Sequence, residues 1–377
     1  MDPAISLLRE LVAIDSVNPT LVPGAAGEAQ IAGAIATWLR TLGLDVTIQE
    51  AAAGRPNVIG ILDGRAPGRS LMFCGHVDTV GVDGMAAPFD PVQRDGRLYG
   101  RGSQDMKGGV AAMLDAVRVL AGRGLSRGRV LVAAVVDEEY ASIGADALVR
   151  DWTADAAVVT EPTDLQIGIG HKGFAWFEIE TRGRAAHGSR PKEGIDAIMH
   201  MGHVLQSLAQ LDQRLQMRPA HPIMGTPSLH ASIISGGREL SVYPDRCVLQ
   251  LERRTVSGES DDALNKEMAA VLESARRAEP SFDAASTLLF SRPPYELNGD
   301  HELPTSLARA AAAAGRPSSL TGMSFWTDAA ILAAAGIPSV LFGPGGAGLH
   351  SVEEFVLVED VIRCRDALVG LAEDWCT

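Results

Sequence analysis

The sequence predicts an α/β chain, with a central mixed sheet flanked by helices and a second, α+β domain inserted into it. Three observations carry that expectation. Apolar runs of strand length alternate with segments of helical spacing. Several of those runs end in an acid, a glycine or a histidine, and ligands of open α/β sheets bind outside the carboxyl ends of the strands. A gap of 350 − 161 = 189 residues separates the last two such positions, and at about 150 residues per domain a chain of 377 suggests two domains with sizeable cores.

The elements follow in order. MDPAISLLRELVAI reads as an amphipathic helix and lacks the basic start and long apolar stretch of a secretory signal. Ile31, Ile35, Leu39 and Leu42 repeat at helical spacing and stop at Gly43, and a strand is expected from Asp45 to Gln49. Leu71–Cys74 is an apolar strand leading through Gly75 to His76 and Asp78. RLYGRG is a short strand ending in glycines, after which Asp105 precedes a helix carrying Val110, Met113, Leu114, Val117 and Leu120. Val130–Val136 runs into Asp137, Glu138 and Glu139; AAVVTEP runs into Glu161; IPSVLFGPGGAGLH runs through glycines to His350. The insertion is placed at 173–290, beginning with GFAWFEIETRG and including RCVLQLERR, so that 1–172 and 291–377 form the first domain. The Ala-rich stretch at 310–314 is read as helix.

Five of these strand-end residues, His76, Asp105, Glu139, Glu161 and His350, form a coherent ligand set. Two imidazoles and three carboxylates suit a pair of borderline divalent ions better than one. Each residue also has a plainer use: His76 as a hydrogen-bonded strand-end histidine, and Asp105 as a helix N-cap. Asp78 could accept the second ring N–H of His76 and fix its tautomer. Three neighbouring acids at 137–139 cost stability without a cation, and adjacent ones can face different ways, one to a metal and one to a proton. The glycines of GPGGAG, Gly345 among them, read as backbone approaching a substrate rather than a phosphate cradle, since no clear helix follows.

The segments GHVDTV, GRGSQDMKGG, VVDEEYASIGA, VVTEPTD and GPGGAGLHSVEEF resemble successive signatures of the dinuclear zinc amidohydrolases that include acetylornithine deacetylase, succinyl-diaminopimelate desuccinylase, aminoacylase and glutamate carboxypeptidase. LVAIDSVNP and GRAAHGSRPKEGIDAI extend the likeness over nearly the whole chain. The resemblance implies a zinc-hydrolase catalytic domain with a lid or dimerisation domain. It implies two divalent ions, zinc first with cobalt or manganese as possible substitutes. Asp105 would bridge them, His76 and Glu161 completing one site and Glu139 and His350 the other. It further implies a cis peptide bond after Asp105, Glu138 as general acid/base, and Asp78 as the carboxylate orienting a histidine ligand. His187 would donate to the oxyanion, often across a dimer interface, and Arg254 would pair with a substrate carboxylate; the plainer readings are an exposed loop histidine and a surface strand arginine.

The implied reaction is hydrolysis of the amide of an N-acyl amino acid or related small amide. The alternatives are a dipeptidase or aminopeptidase of the same fold, or an inactive metal-stabilised binding protein. Two departures bear on the substrate. Ser241 stands in SVYPD where many relatives carry Asn, and SFWTDAA places Phe325 and Trp326 near the expected pocket wall without the arginine some relatives carry after the Asp-Ala pair.

A formal charge of −14 argues against nucleic acid and anionic membranes as partners, and leaves any substrate carboxylate to be held by local groups. Cys74, Cys247, Cys364 and Cys376 show no disulfide or metal-finger spacing, which together with the amino-terminal pattern places the chain in the cytoplasm. No apolar run approaches the roughly 20 residues that span a bilayer.

Overall fold

The computed structural model describes all 377 residues, which fall into two compact units. The first comprises Met1–Gly170, Leu297–Gly322 and Thr327–Thr377; the second comprises His171–Glu296 and Met323–Trp326. The sequence reading put the insertion at 173–290 and left Met323–Trp326 outside it.

In the first unit the strands lie in the order Asp45–Ala52, Arg55–Asp63, Arg129–Val135, Ser70–His76, Ala156–Val159 and Ser339–Leu341. The first two pairings are antiparallel and the next three parallel, so the sheet is mixed. Its parallel strands are buried nearly throughout, as continuous Val, Leu and Ala runs require when both faces are covered. Register aligns their carboxyl ends: His76 lies opposite Val135, and Cys74 opposite Val159. Three chemical positions therefore emerge from one sheet edge, His76 directly and Glu138–Glu139 and Glu161 just after their strands.

The helices form where spacing and caps indicate. Pro3–Val12 opens with Pro at its first position and Asp2 accepting the N–H of Ala4 at 2.9 Å. Ala29–Thr41 buries Ile31, Ile35 and Leu39, and Gly43 follows in the left-handed conformation. The Ala-rich stretch belongs to Glu302–Ala313. Helix Gly108–Arg123 starts close to the sheet edge because a side chain at Gly109 would collide with the carbonyl of Thr160.

Arg97–Tyr99 is not part of the central sheet. It pairs with Phe355–Leu357 and Val92–Arg94 in a small separate sheet that also holds Gly346–Ala347. Asp105 and His350 thus reach the site from this second sheet, a correction to the expectation that all five positions end strands of one sheet.

The second unit is a four-stranded antiparallel sheet in the order Ser228–Gly236, Arg246–Thr255, Gly173–Arg182, Asp283–Arg292. Helices Ala197–Gln216 and Asp261–Ala278, capped by Asp196 and Ser260, cover one face. Phe177, Ile179, Leu249 and Leu251 point into that core against Met201, Val204, Leu264 and Met268, following the period-two alternation of their strands.

Candidate metal centre

The carboxylate of Asp105 lies between two imidazoles. Its Oδ1 is 3.1 Å from His76 Nε2 and its Oδ2 3.4 Å from His350 Nε2. Around His76 Nε2 also lie Glu138 Oε2 at 3.8 Å and Glu161 Oε1 at 4.0 Å, while His350 Nε2 is 3.0 Å from Glu139 Oε2. His76, Asp105 and Glu139 form one group able to hold a metal ion, and His76, Glu138 and Glu161 another. All five expected ligands and Glu138 therefore converge.

Asp105 does not cap the following helix, which has no side-chain cap. Its peptide bond to Met106 is cis. The turn 101–105 is held by the buried carboxylate of Glu354, which accepts from Arg101 Nη1 at 2.7 Å and from the backbone N–H groups of Gly102, Gln104 and Asp105 at 3.0, 2.8 and 3.1 Å. Glu354 stands four residues after His350, so one side chain ties together the segments carrying both residues. Its place in SVEEF was visible in the sequence, but nothing in the spacing revealed this use.

Asp78 lies beside His76 and has further contacts. The acceptor nearest His76 Nδ1 is the Asp78 backbone carbonyl at 3.0 Å, whereas its carboxylate is 3.6 Å away. The carboxylate accepts the backbone N–H groups of Glu138 at 3.1 Å and Glu139 at 3.2 Å, and the amide of Asn18 at 2.8 Å. Asp137 leaves the expected acid cluster: it pairs with Arg55 at 2.6 Å and accepts from Asn18 at 3.0 Å. Arg55 and buried Glu28 complete this network, which the sequence reading did not assign.

The electrostatics fit divalent cations. Burial raises the Glu138, Glu139 and Glu161 carboxyls; neighbouring Glu161 adds for Glu138, and neighbouring Asp105 for Glu139, which reaches about 7. Asp105 is pushed the other way, His350 and His76 outweighing burial. His350 rises to about 10 beside Asp105 and Glu139. Burial opposes charge on His76, but Asp105 and Asp78 prevail and raise it. Glu139 Oε1 is buried without a hydrogen-bond partner, an atom that coordination would satisfy. Four acids around two imidazoles, with no lysine or arginine hydrogen-bonded to any of them, form a donor set that suits metals of the zinc type.

Other expected residues have different surroundings. Gly345 donates its N–H to Asp360 at 3.2 Å, and its carbonyl accepts from Leu357 at 2.8 Å. In the second unit His187 is exposed. Its Nδ1 lies 2.8 Å from Ser189 Oγ and 3.2 Å from the Ser189 backbone nitrogen. The adjacent Gly188 N–H donates to the Ser241 carbonyl at 2.7 Å. Arg254 binds Glu252 at 2.6 Å and lies 5.5 Å from the Phe174 ring. Trp326 belongs to the second unit, where it is buried edge-on to Phe174 at 6.1 Å, with Nε1 donating to the Pro293 carbonyl. Phe325 beside it is half-buried. All four cysteines are free and buried. No helix is long and apolar enough to cross a membrane.

Comparison with known proteins agrees with this geometry. Residues 72–374 match peptidase family M20/M25/M40. The chain is 30% identical to acetylornithine deacetylase of Myxococcus xanthus, covering 98% of this chain and 96% of that protein. It is 28% identical to N-formyl-4-amino-5-aminomethyl-2-methylpyrimidine deformylase of Bacillus subtilis, with coverages of 95% and 92%. Among solved structures it shares the fold of a tripeptidase from Staphylococcus aureus, with a TM-score of 0.83 at 22% identity and coverages of 99% and 98%. The chain belongs to peptidase family M20/M25/M40 and is a hydrolase.

Proposed function

We propose that this chain hydrolyses the amide bond of an N-acyl amino acid or a related small N-acyl amide, using two divalent cations. His76, Asp105 and Glu161 would hold one and Asp105, Glu139 and His350 the other; zinc suits this mixture of imidazole and carboxylate, with cobalt or manganese as substitutes. Bound there, such a pair would polarise a carbonyl and lower the pKa of water towards roughly 7. The observation that carries the reading is one carboxylate, Asp105, within 3.4 Å of both imidazoles, with Glu138 alongside.

Glu138 then has a defined task. Burial raises its carboxyl, with Glu161 adding to the shift, so it can accept a proton from water and return it to the departing amine. Asp78 fixes the backbone of Glu138 and Glu139 through two N–H bonds. The His187 imidazole supplies an N–H donor to the developing oxyanion, and the Arg254 guanidinium pairs with a substrate carboxylate.

Removal of an N-acyl group is common to the names of both curated relatives, which favours a deacylase over a dipeptidase or aminopeptidase. Their acyl groups differ, acetyl in one name and formyl in the other, so near-equal identity leaves the acyl group open. The test is a hydrolysis screen of metal-loaded protein on N-acetyl and N-formyl amino acids beside free-amine di- and tripeptides, with product amines identified. Turnover confined to free-amine peptides would replace the reading with an aminopeptidase; no turnover with cations bound would replace it with a binding protein.

The second unit would serve as a lid and homodimer surface. Strand Ser228–Gly236 is a sheet edge with Ile233 and Ile234 exposed, and light scattering in solution tests the pairing. Four buried free thiols favour a cytoplasmic setting.

A further inference from the structure

We propose that Asn18 is a positioning residue for the reaction, its side-chain amide setting where Glu138 and Glu139 stand. The inference rests on the assignment of Glu138 and Glu139 to the site, and adds a residue to it.

Asn18 is fully buried and comes from the amino-terminal segment, far in sequence from the acids it touches. Its backbone is stapled beside the loop after His76: Val17 bridges Thr79, Asn18 N–H donates to the Thr79 carbonyl at 2.9 Å, and Thr79 N–H returns to Ser16 at 3.1 Å. From there Nδ2 donates to two carboxylates, Asp78 Oδ2 at 2.8 Å and Asp137 Oδ1 at 3.0 Å. An amide nitrogen has two hydrogens, and both are used.

The arrangement links two buried acids that would otherwise repel. Asp137 sits in the left-handed conformation immediately before Glu138, and its carboxylate also pairs with Arg55. Asp78 holds the next two N–H groups, Glu138 on Oδ1 and Glu139 on Oδ2. Asn18 therefore fastens the near side of the turn through Asp137 and its far side through Asp78. Without the amide, Asp78 loses a neutral donor while still facing Asp137, and the backbone carrying Glu138 and Glu139 loses its fixed reference.

The oxygen of the same side chain has a separate use: Oδ1 accepts the Thr20 N–H at 2.9 Å and closes a local turn. This separates two explanations of any loss. Asn18→Asp keeps the turn acceptor and removes the donor; Asn18→Ala removes both without adding charge. Supporting groups around metal sites are worth about 10–100-fold in affinity or activity. We expect both variants to lose about 10–100-fold in kcat with KM within twofold. Calorimetry should show a comparable loss of affinity for the cation held through Glu139. Loss in Asn18→Ala alone would mean that only the turn matters, and loss in Asn18→Asp alone would indicate added charge; either overturns the proposal, as does wild-type behaviour of both. Asn18→Ser, which shortens the donor's reach without adding charge, replaces a variant that fails to fold, with the same losses expected. If wild-type protein binds two cations but hydrolyses nothing, the functional reading fails and the calorimetric comparison still decides the role of Asn18. Wild-type protein that binds no cation ends both.

Discussion

Replacing Glu138 with glutamine isolates proton transfer from cation binding. The side chain is 12% exposed, its Oε2 lies 3.8 Å from His76 Nε2, and its backbone N–H is held by Asp78. Glutamine keeps the size and the backbone bond and removes the site that takes up a proton. Glu138 stands beside His76 and Glu161, but in the proposed assignment the cations are held by His76, Asp105, Glu139, Glu161 and His350, and a glutamine oxygen can still face His76, so both cations should remain. A positioned proton carrier is worth about 10² to 10⁴ in rate, or roughly 2.7 to 5.4 kcal/mol of transition-state stabilisation. Because burial, and after it neighbouring Glu161, disfavours charge on Glu138, the metal-free variant should be at least as stable as the wild type. The assay is kcat and KM on the best acyl amide from the screen, with metal content measured on the same sample. Activity within tenfold of wild type, with two cations bound, would refute the role of Glu138.

Glu354→Gln should weaken cation binding about 10–100-fold and cost about 3–5 kcal/mol in denaturant unfolding, because it leaves Arg101 buried without its charge partner and turns an amide NH2 either towards Arg101 and the Gly102 N–H or towards the Gln104 and Asp105 N–H groups. Lys107 is fully buried, bonds only the Ile14 carbonyl, and burial lowers its ammonium to about 7. Between about pH 7 and its ordinary value the unfolded chain keeps a proton that the folded chain releases, so stability from this group rises with pH. From pH 7 to 9, wild type should gain roughly 2 kcal/mol relative to Lys107→Met in chelator, and parallel pH profiles would contradict this. Since coordination needs neutral imidazole and His350 is raised to about 10, cation binding at pH 7.5 should release protons, seen as a calorimetric heat that changes with buffer.

Much of the site was legible because strand-end chemistry is local in sequence. His76, Glu138, Glu139 and Glu161 follow apolar runs whose register the sheet preserves, and the helices at 3–12 and 29–41 show their apolar spacing directly. Long-range support was not legible. The link from Glu354 to Gly102 spans 252 positions, and that from Asn18 to Asp137 spans 119; no local period encodes either. Asp105 illustrates a middle case. Its position before a helix suggested a cap, but a separate small sheet carries its segment to the imidazoles. Gly345 and Trp326 also carry contacts that no local period encodes, the first to Asp360 and the second to Phe174.

Cation stoichiometry in wild type and Asp105→Asn tests the central claim most directly. Metal-free protein titrated with zinc should bind two ions per chain, and Asp105→Asn should lose tight binding at both positions, because each draws on the same carboxylate. One ion per chain in the wild type, or two tightly held by Asp105→Asn, would contradict a shared aspartate at the centre of this site.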